Sequence, residues 1–175
     1  HYWSSAESKD WNDPAAKRRV EICLLKQFLA VAPRHYNARR QLARAQYCDG
    51  QYAQSLANFR RVIQQYMLDP WNYHALGICY RDGLGVGQDL TRAAWYLRVM
   101  LWVTRVQGLS GSDAHLTALR ELCETYRLQR RAQAMLRVLV AWRRALACST
   151  LPRVLLDRER ALFLSQQELA WEMAG

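Results

Sequence analysis

Residues Asn72–Met100 read NYHALGICYRDGLGVGQDLTRAAWYLRVM, and the fold follows from this stretch. A segment centred on Ala75-Leu76-Gly77 and Tyr80 reads as helix until Gly83 stops it. The loop Gly83–Gln88 follows, and Asp89 supplies a side-chain acceptor to open a second helix running to about Val106. Working outward, the same punctuation recurs. Asp13-Pro14 is a start signal, an acceptor cap followed by proline, for a first helix through Val20, Cys23, Leu24, Phe28 and Leu29 that Pro33 closes. A second helix spans about 37–49 and stops at Gly50, and a third spans about 52–66 and stops before Asp69-Pro70. Gly108–Asp113, GLSGSD, has the composition of a linker. Two helices, about 114–126 and 130–147, and a tail helix, about 152–173, complete the chain. Strand-like alternation with turn pairs is missing, so the expectation is all-α.

Helices this short and dense form either a bundle or a repeat, and a period decides. Leu42-Ala43 is followed 34 residues later by Leu76-Gly77. The small residue lets the two helices of one unit approach closely, and the leucine beside it fills the remaining space. Gly50 falls at the same interval from Leu84, inside the glycine loop. Glycine there takes the left-handed turn that other residues adopt only at a cost.

The stretch 72–100, with Ala75-Leu76-Gly77, Tyr80, Gly83-Leu84-Gly85-Val86, Asp89, Ala93-Ala94, Trp95 and Tyr96, resembles a Sel-like repeat, a variant of the tetratricopeptide repeat. Residues 37–66, with Leu42, Ala43, Tyr47, Gly50, Tyr52 and Phe59, resemble a plain tetratricopeptide repeat, departing from it at Ser55 where alanine is usual. Residues 14–33 resemble the second half of an earlier repeat. Residues 113–148 resemble a degenerate hairpin that keeps Leu122 and Tyr126 but lacks the glycines, and 152–173 would be a capping helix. The resemblance implies one domain, a right-handed α-α superhelix of about three to four helical hairpins, with a concave groove for a protein or peptide. It implies no chemistry. It is compatible with a non-catalytic adaptor, scaffold or chaperone, and by analogy with a bacterial secretion or envelope complex.

Composition agrees with a globular helical chain. At 175 residues it is about one domain long, and 51% hydrophobic content excludes a disordered chain. No apolar stretch approaches the ~18 residues of a membrane span. The net charge is +10, and 22 of the 25 basic residues are arginine. Residues 17–61 hold ten basic and two acidic residues, and 92–144 hold ten and three. Arginine grips carboxylates and phosphates through a planar fork, so an acidic partner is expected. An arginine-rich binder of nucleic acid or of an anionic membrane surface is the alternative, with the basic helix 130–147 and its stripe Arg130, Gln133, Arg137 and Arg144 as the membrane candidate. No nucleic-acid motif accompanies the charge. Cys23, Cys48, Cys79, Cys123 and Cys148 are odd in number and lie at least 25 residues apart. That spacing predicts five reduced, mostly buried thiols and favours the cytoplasm. Cys48 and Cys79, on neighbouring first helices, are the pair that would contradict it. The chain starts at His1 rather than Met, which leaves room for a removed signal peptide or anchor and a periplasmic or envelope location.

The repeat resemblance assigns groove positions to the first helix of each unit. These are Asn37, Arg40, Arg44 and Tyr47, then Trp71, His74, Ile78 and Arg81, with Arg120 and Arg127 extending the wall. Arg40, Arg44 and Arg81 are expected to face one concavity and hold carboxylates, with aromatic anchors beside them. The competing reading is that these are ordinary solvated helix faces. No cofactor, metal or catalytic site is expected. His1, His35, His74 and His115 lack ligand spacing, no hydrolase or zinc motif occurs, and the Gly83–Gly87 loop lacks the lysine and preceding strand of a phosphate cradle.

Overall fold

Five helix starts among the described residues carry a side-chain cap. In the computed structural model, which describes residues 13–149 and 151–174, the carboxylate of Asp13 accepts from the Ala15 amide at 2.9 Å and opens α1 (Pro14–Val31). His35 Nδ1 accepts from the Ala38 amide and caps α2 (Tyr36–Cys48), which is followed by α3 (Tyr52–Gln65). Asp69 accepts from the Trp71 amide at 3.1 Å to open α4 (Pro70–Asp82), and Asp89 accepts from the Thr91 and Arg92 amides to open α5 (Leu90–Val106). Ser112 caps α6 (Asp113–Leu128), and α7 (Ala132–Ala147) and α8 (Arg153–Ala174) follow. The described residues are all-helical apart from turns, as the punctuation predicts. The His1 start lies outside them.

Four helix ends, those of α2, α4, α5 and α6, share one device. The amides of Gln51, Leu84, Leu109 and Arg131 each donate to the carbonyl five residues back, on Gln46, Cys79, Thr104 and Tyr126, at 2.8–2.9 Å. This Schellman closure needs a left-handed residue just before the donor. Gly50, Gly83 and Gly108 supply it at φ of 78°, 71° and 69°. The fourth is Arg130, at φ 54°, the single non-glycine with positive φ among the described residues. Residues 113–148 therefore make the same turn without the glycine whose absence marks them as degenerate. Arg130 lies in that turn and not in α7, so it does not belong to the stripe of Gln133, Arg137 and Arg144.

The chain forms two compact units, residues 1–67 and 68–175. In the first, α2 packs on both α1 and α3. Ala43 is fully buried, and the hydroxyl of Ser55, also fully buried, donates to its carbonyl at 2.7 Å. The departure from alanine at Ser55 is thus absorbed by a hydrogen bond between the helices. Beside it, Gln46 is buried and bonds to Gln54 and Asn58. Only Ile22 and Leu29 of α1 are buried, while Val20, Leu24 and Phe28 stay exposed.

In the second unit each helix from α4 to α8 packs on the next, and α6 also touches α4 and α8. A Cβ placed on Gly77 would lie 2.9 Å from Leu97 Cγ, so glycine there does permit the close approach of α4 and α5. Leu76, Leu97, Met100, Val103, Leu119, Met135 and Trp142 are buried at the centre. The apolar side of α7 is buried as well, through Met135, Val138, Leu139 and Trp142, against α6 and α8.

Two expectations need correction. GLSGSD is a tight turn and not a linker. Gly111 is buried, Ser149 Oγ donates to its carbonyl at 2.8 Å, and α5 and α6 on either side pack together. A polar, glycine-rich composition serves a clamped turn as well as a flexible one. The thiols are not mostly buried either. All five are free, but Cys23, Cys48 and Cys148 are exposed and only Cys79 and Cys123 are buried. Cys48 is the last residue of α2 and Cys148 the C-cap of α7, where a helix face runs out into solvent. Cys23 falls outside the narrow buried stripe of α1.

Candidate functional site

The second unit contains a cleft of about 310 Å³ walled by α4, α6 and α8. Asp69 and Pro70 begin α4 so that its first turn presents Trp71 and, one turn on, His74. The rings meet edge to face with centroids 5.6 Å apart. α6 contributes Asp113, Thr117, Arg120 and Glu121 along one face, at the three- and four-residue steps of a helix. The third wall is Leu151 together with Leu155, Arg158 and Glu159 of α8.

The charges in and behind the cleft are already interlocked. Arg120 Nη1 donates to Glu159 Oε1 at 2.6 Å, and its other nitrogens face Glu121. Glu121 also accepts from Arg81 at 2.5 Å, while Arg81 Nε donates to Asp82 at 2.7 Å. These bonds hold the Arg81 guanidinium charged more firmly than usual, the hydrogen bond to Asp82 contributing most and burial opposing. Burial is the main cause that lowers the pKa of His74, with Arg120 and Arg81 adding to it and Glu121 and Asp113 opposing. Its ring is therefore neutral at pH 7. Two polar atoms on residues that line the cleft are buried without a partner, Nε2 of His74 and Oε2 of Glu159.

A comparison with protein-family models finds no match to the chain, and neither a comparison with curated proteins nor one with solved structures finds one.

Of the groove positions expected from the sequence, Trp71, His74 and Arg120 converge on the cleft, and Arg81 stands behind it through Glu121. Ile78 does not line a groove. It is buried, because an isoleucine on the inner face of α4 packs into the core. Arg127 pairs with Glu124 one turn back, at 2.5 Å. In the first unit Asn37 and Arg44 are exposed, Arg40 is half-buried, and Tyr47 stacks edge to face on Tyr52 with centroids 5.4 Å apart. The expected free basic wall is thus answered from within the second unit, since Arg81, Arg120 and Arg127 each hold one of the chain's own carboxylates. Charge counts along a sequence cannot show which ions meet in space.

Sequence reasoning missed Glu159, Leu155 and Asp113. The first two lie on the tail helix, which was expected only to cap the stack. Their spacing of four was the available signal, since it puts one apolar and one acidic side chain on a single face of α8. Asp82, next to the glycine loop, pairs with Arg81, and Asp89 caps α5. Among the described residues no three His, Cys, Asp or Glu side chains cluster to hold a metal, and no helix is long and apolar enough to cross a membrane.

Proposed function

We propose that the chain is a non-catalytic protein-interaction module, an adaptor, scaffold or chaperone, built as a short α-α superhelix of the tetratricopeptide and Sel-like kind. The observation that carries this reading is the convergence of Trp71, His74 and Arg120 on one cleft. These residues occupy first-helix positions of successive units, where a superhelical stack would put its concave face. Contacts of α6 with both α4 and α8 support such stacking, because alternate helices touch when hairpins are laid side by side. A cleft of this size, at the small end of the ~300–1,000 Å³ range of ligand pockets and part aromatic, part polar, suits a side chain with its flanking backbone. Panning a phage-displayed random dodecapeptide library on the full chain tests the reading. The expected result is an enriched peptide whose affinity drops at least tenfold, ~1.4 kcal/mol, in Trp71→Ala. Failure to enrich any peptide that competes at the cleft counts against it.

One observation favours a second reading, binding to an anionic surface. The outer face of α5 exposes Trp95, Trp102 and Val106, flanked by the exposed Arg98 and Arg105, and α5 contains no acidic residue. Tryptophan beside arginine suits a lipid headgroup region. Vesicles of phosphatidylcholine with and without phosphatidylglycerol distinguish the two: binding that needs the anionic lipid and is lost in Trp95→Ala with Trp102→Ala supports the second.

A further inference from the structure

Granting that the chain is an interaction module, we propose that the α4–α6–α8 cleft takes a cationic side chain of its partner, a lysine ammonium or an arginine guanidinium. The Glu159 side chain is 8% exposed and lines the cleft. Its Oε1 is held by Arg120, while its Oε2 is buried and accepts nothing. A buried carboxylate oxygen without a donor is costly, and a ligand N–H would supply the missing bond. His74 Nε2 is the second orphan. His74 lines the cleft as well, and with the proton on Nδ1 its neutral ring carries an acceptor lone pair on Nε2.

The walls fit the rest of such a side chain. The Trp71 ring is 43% exposed at the cleft, and a cation over an indole face is attracted by the ring quadrupole. Leu151 and Leu155 give an apolar surface for the aliphatic stem. Three carboxylates, Asp113, Glu121 and Glu159, line the cleft against two guanidiniums, Arg120 and Arg158. Arg120 is committed to Glu159 and Glu121. An acidic ligand would meet this excess of negative charge, so the cleft selects the opposite sign from the one the net charge of +10 suggests.

The test uses the full chain and N-acetylated, C-amidated alanine–serine heptapeptides whose central residue is lysine, arginine, norleucine, glutamate or trimethyl-lysine. Binding is read by calorimetry and by the Trp71 indole N–H resonance. The lysine or arginine peptide is expected to bind at least tenfold more tightly than the norleucine and glutamate peptides, and the tighter of the two identifies the partner's residue. Trimethyl-lysine keeps the charge but has no N–H donor, and is expected to bind more weakly than lysine. Glu159→Gln should reduce the affinity at least tenfold. Since Glu159 also holds Arg120, its folding is checked by thermal melting, and Trp71→Ala, at an exposed ring, provides an independent loss. Equal affinity for norleucine, preference for glutamate, no measurable binding of either cationic peptide, or indifference to both substitutions would overturn the proposal. A library peptide that competes at the cleft without a basic residue removes this inference and leaves the interaction module standing. No peptide at the cleft at all removes both.

Discussion

At Gly77 the absence of one carbon sets the distance between two helices. Leu97, fully buried on α5, occupies the space a side chain at 77 would need, and Ala93 carbonyl oxygen lies 3.6 Å from the same point. Gly77→Leu is expected to cost ~1–3 kcal/mol through overpacking. Denaturant unfolding measures it, and adding Leu97→Ala should recover part of the loss if the pair is the cause. The thiols divide equally sharply. Burial pushes Cys79 up to about 11 and Cys123 up to about 12, with Asp82 and Glu124 adding to the effect, so both stay protonated and unreactive. A thiol reagent at pH 8 should therefore label three cysteines quickly in the native chain and all five in denaturant. Five fast thiols in the native state would contradict the buried pair, and fewer than five after denaturation would mean a disulfide.

Helix starts and stops were legible because their causes are local. An aspartate before a helix or a glycine after it acts within one turn, and Asp13, Asp69, Asp89, Gly50 and Gly83 all do so. What the sequence concealed was a turn made by the wrong residue. Arg130 adopts the left-handed conformation that glycine takes at the equivalent turns, and an L side chain there costs ~1–2 kcal/mol. Replacing it should stabilise the α6–α7 turn. Arg130→Gly is expected to raise stability by up to ~1 kcal/mol, the added freedom of the unfolded chain offsetting the rest. Gly111 makes the converse case. Its φ is 86°, and a Cβ would lie 3.0 Å from the Cys148 carbonyl oxygen and 3.1 Å from Ser149 Cα. Both obstacles are backbone, which cannot swing aside as Leu97 can, so Gly111→Ala should lower the melting temperature although only a methyl is added.

The candidate site was half legible, and the reason is a matter of distance along the chain. Trp71, His74 and Arg120 are positions that the repeat resemblance implies, but Glu159 meets Arg120 from 39 residues away and no pattern announces that pairing. Such long-range pairs, with the buried histidines, also set how the whole molecule responds to pH. His74 and His115 both have a pKa lowered mainly by burial, and for His115 Arg105 adds to it. His115 is buried and shares a hydrogen bond of 2.8 Å with Thr104 Oγ1. A histidine held below its unfolded value of ~6.5 takes up its proton more readily when the chain unfolds. Its contribution to stability is therefore complete above that pH and is lost as the pH falls toward and through the folded value. Glu124, whose carboxyl the Arg127 hydrogen bond holds below the usual range, contributes above its own unfolded value of ~4.3 and fails only in more acidic solution. Two windows follow, histidine first and carboxylate later. Thermal melting from pH 8 to pH 5 should show a falling midpoint, and His115→Gln should flatten that fall while leaving the steeper loss near pH 4 in place. A midpoint that rises between pH 8 and pH 5 would mean that these rings gain, rather than lose, by carrying a proton in the folded chain.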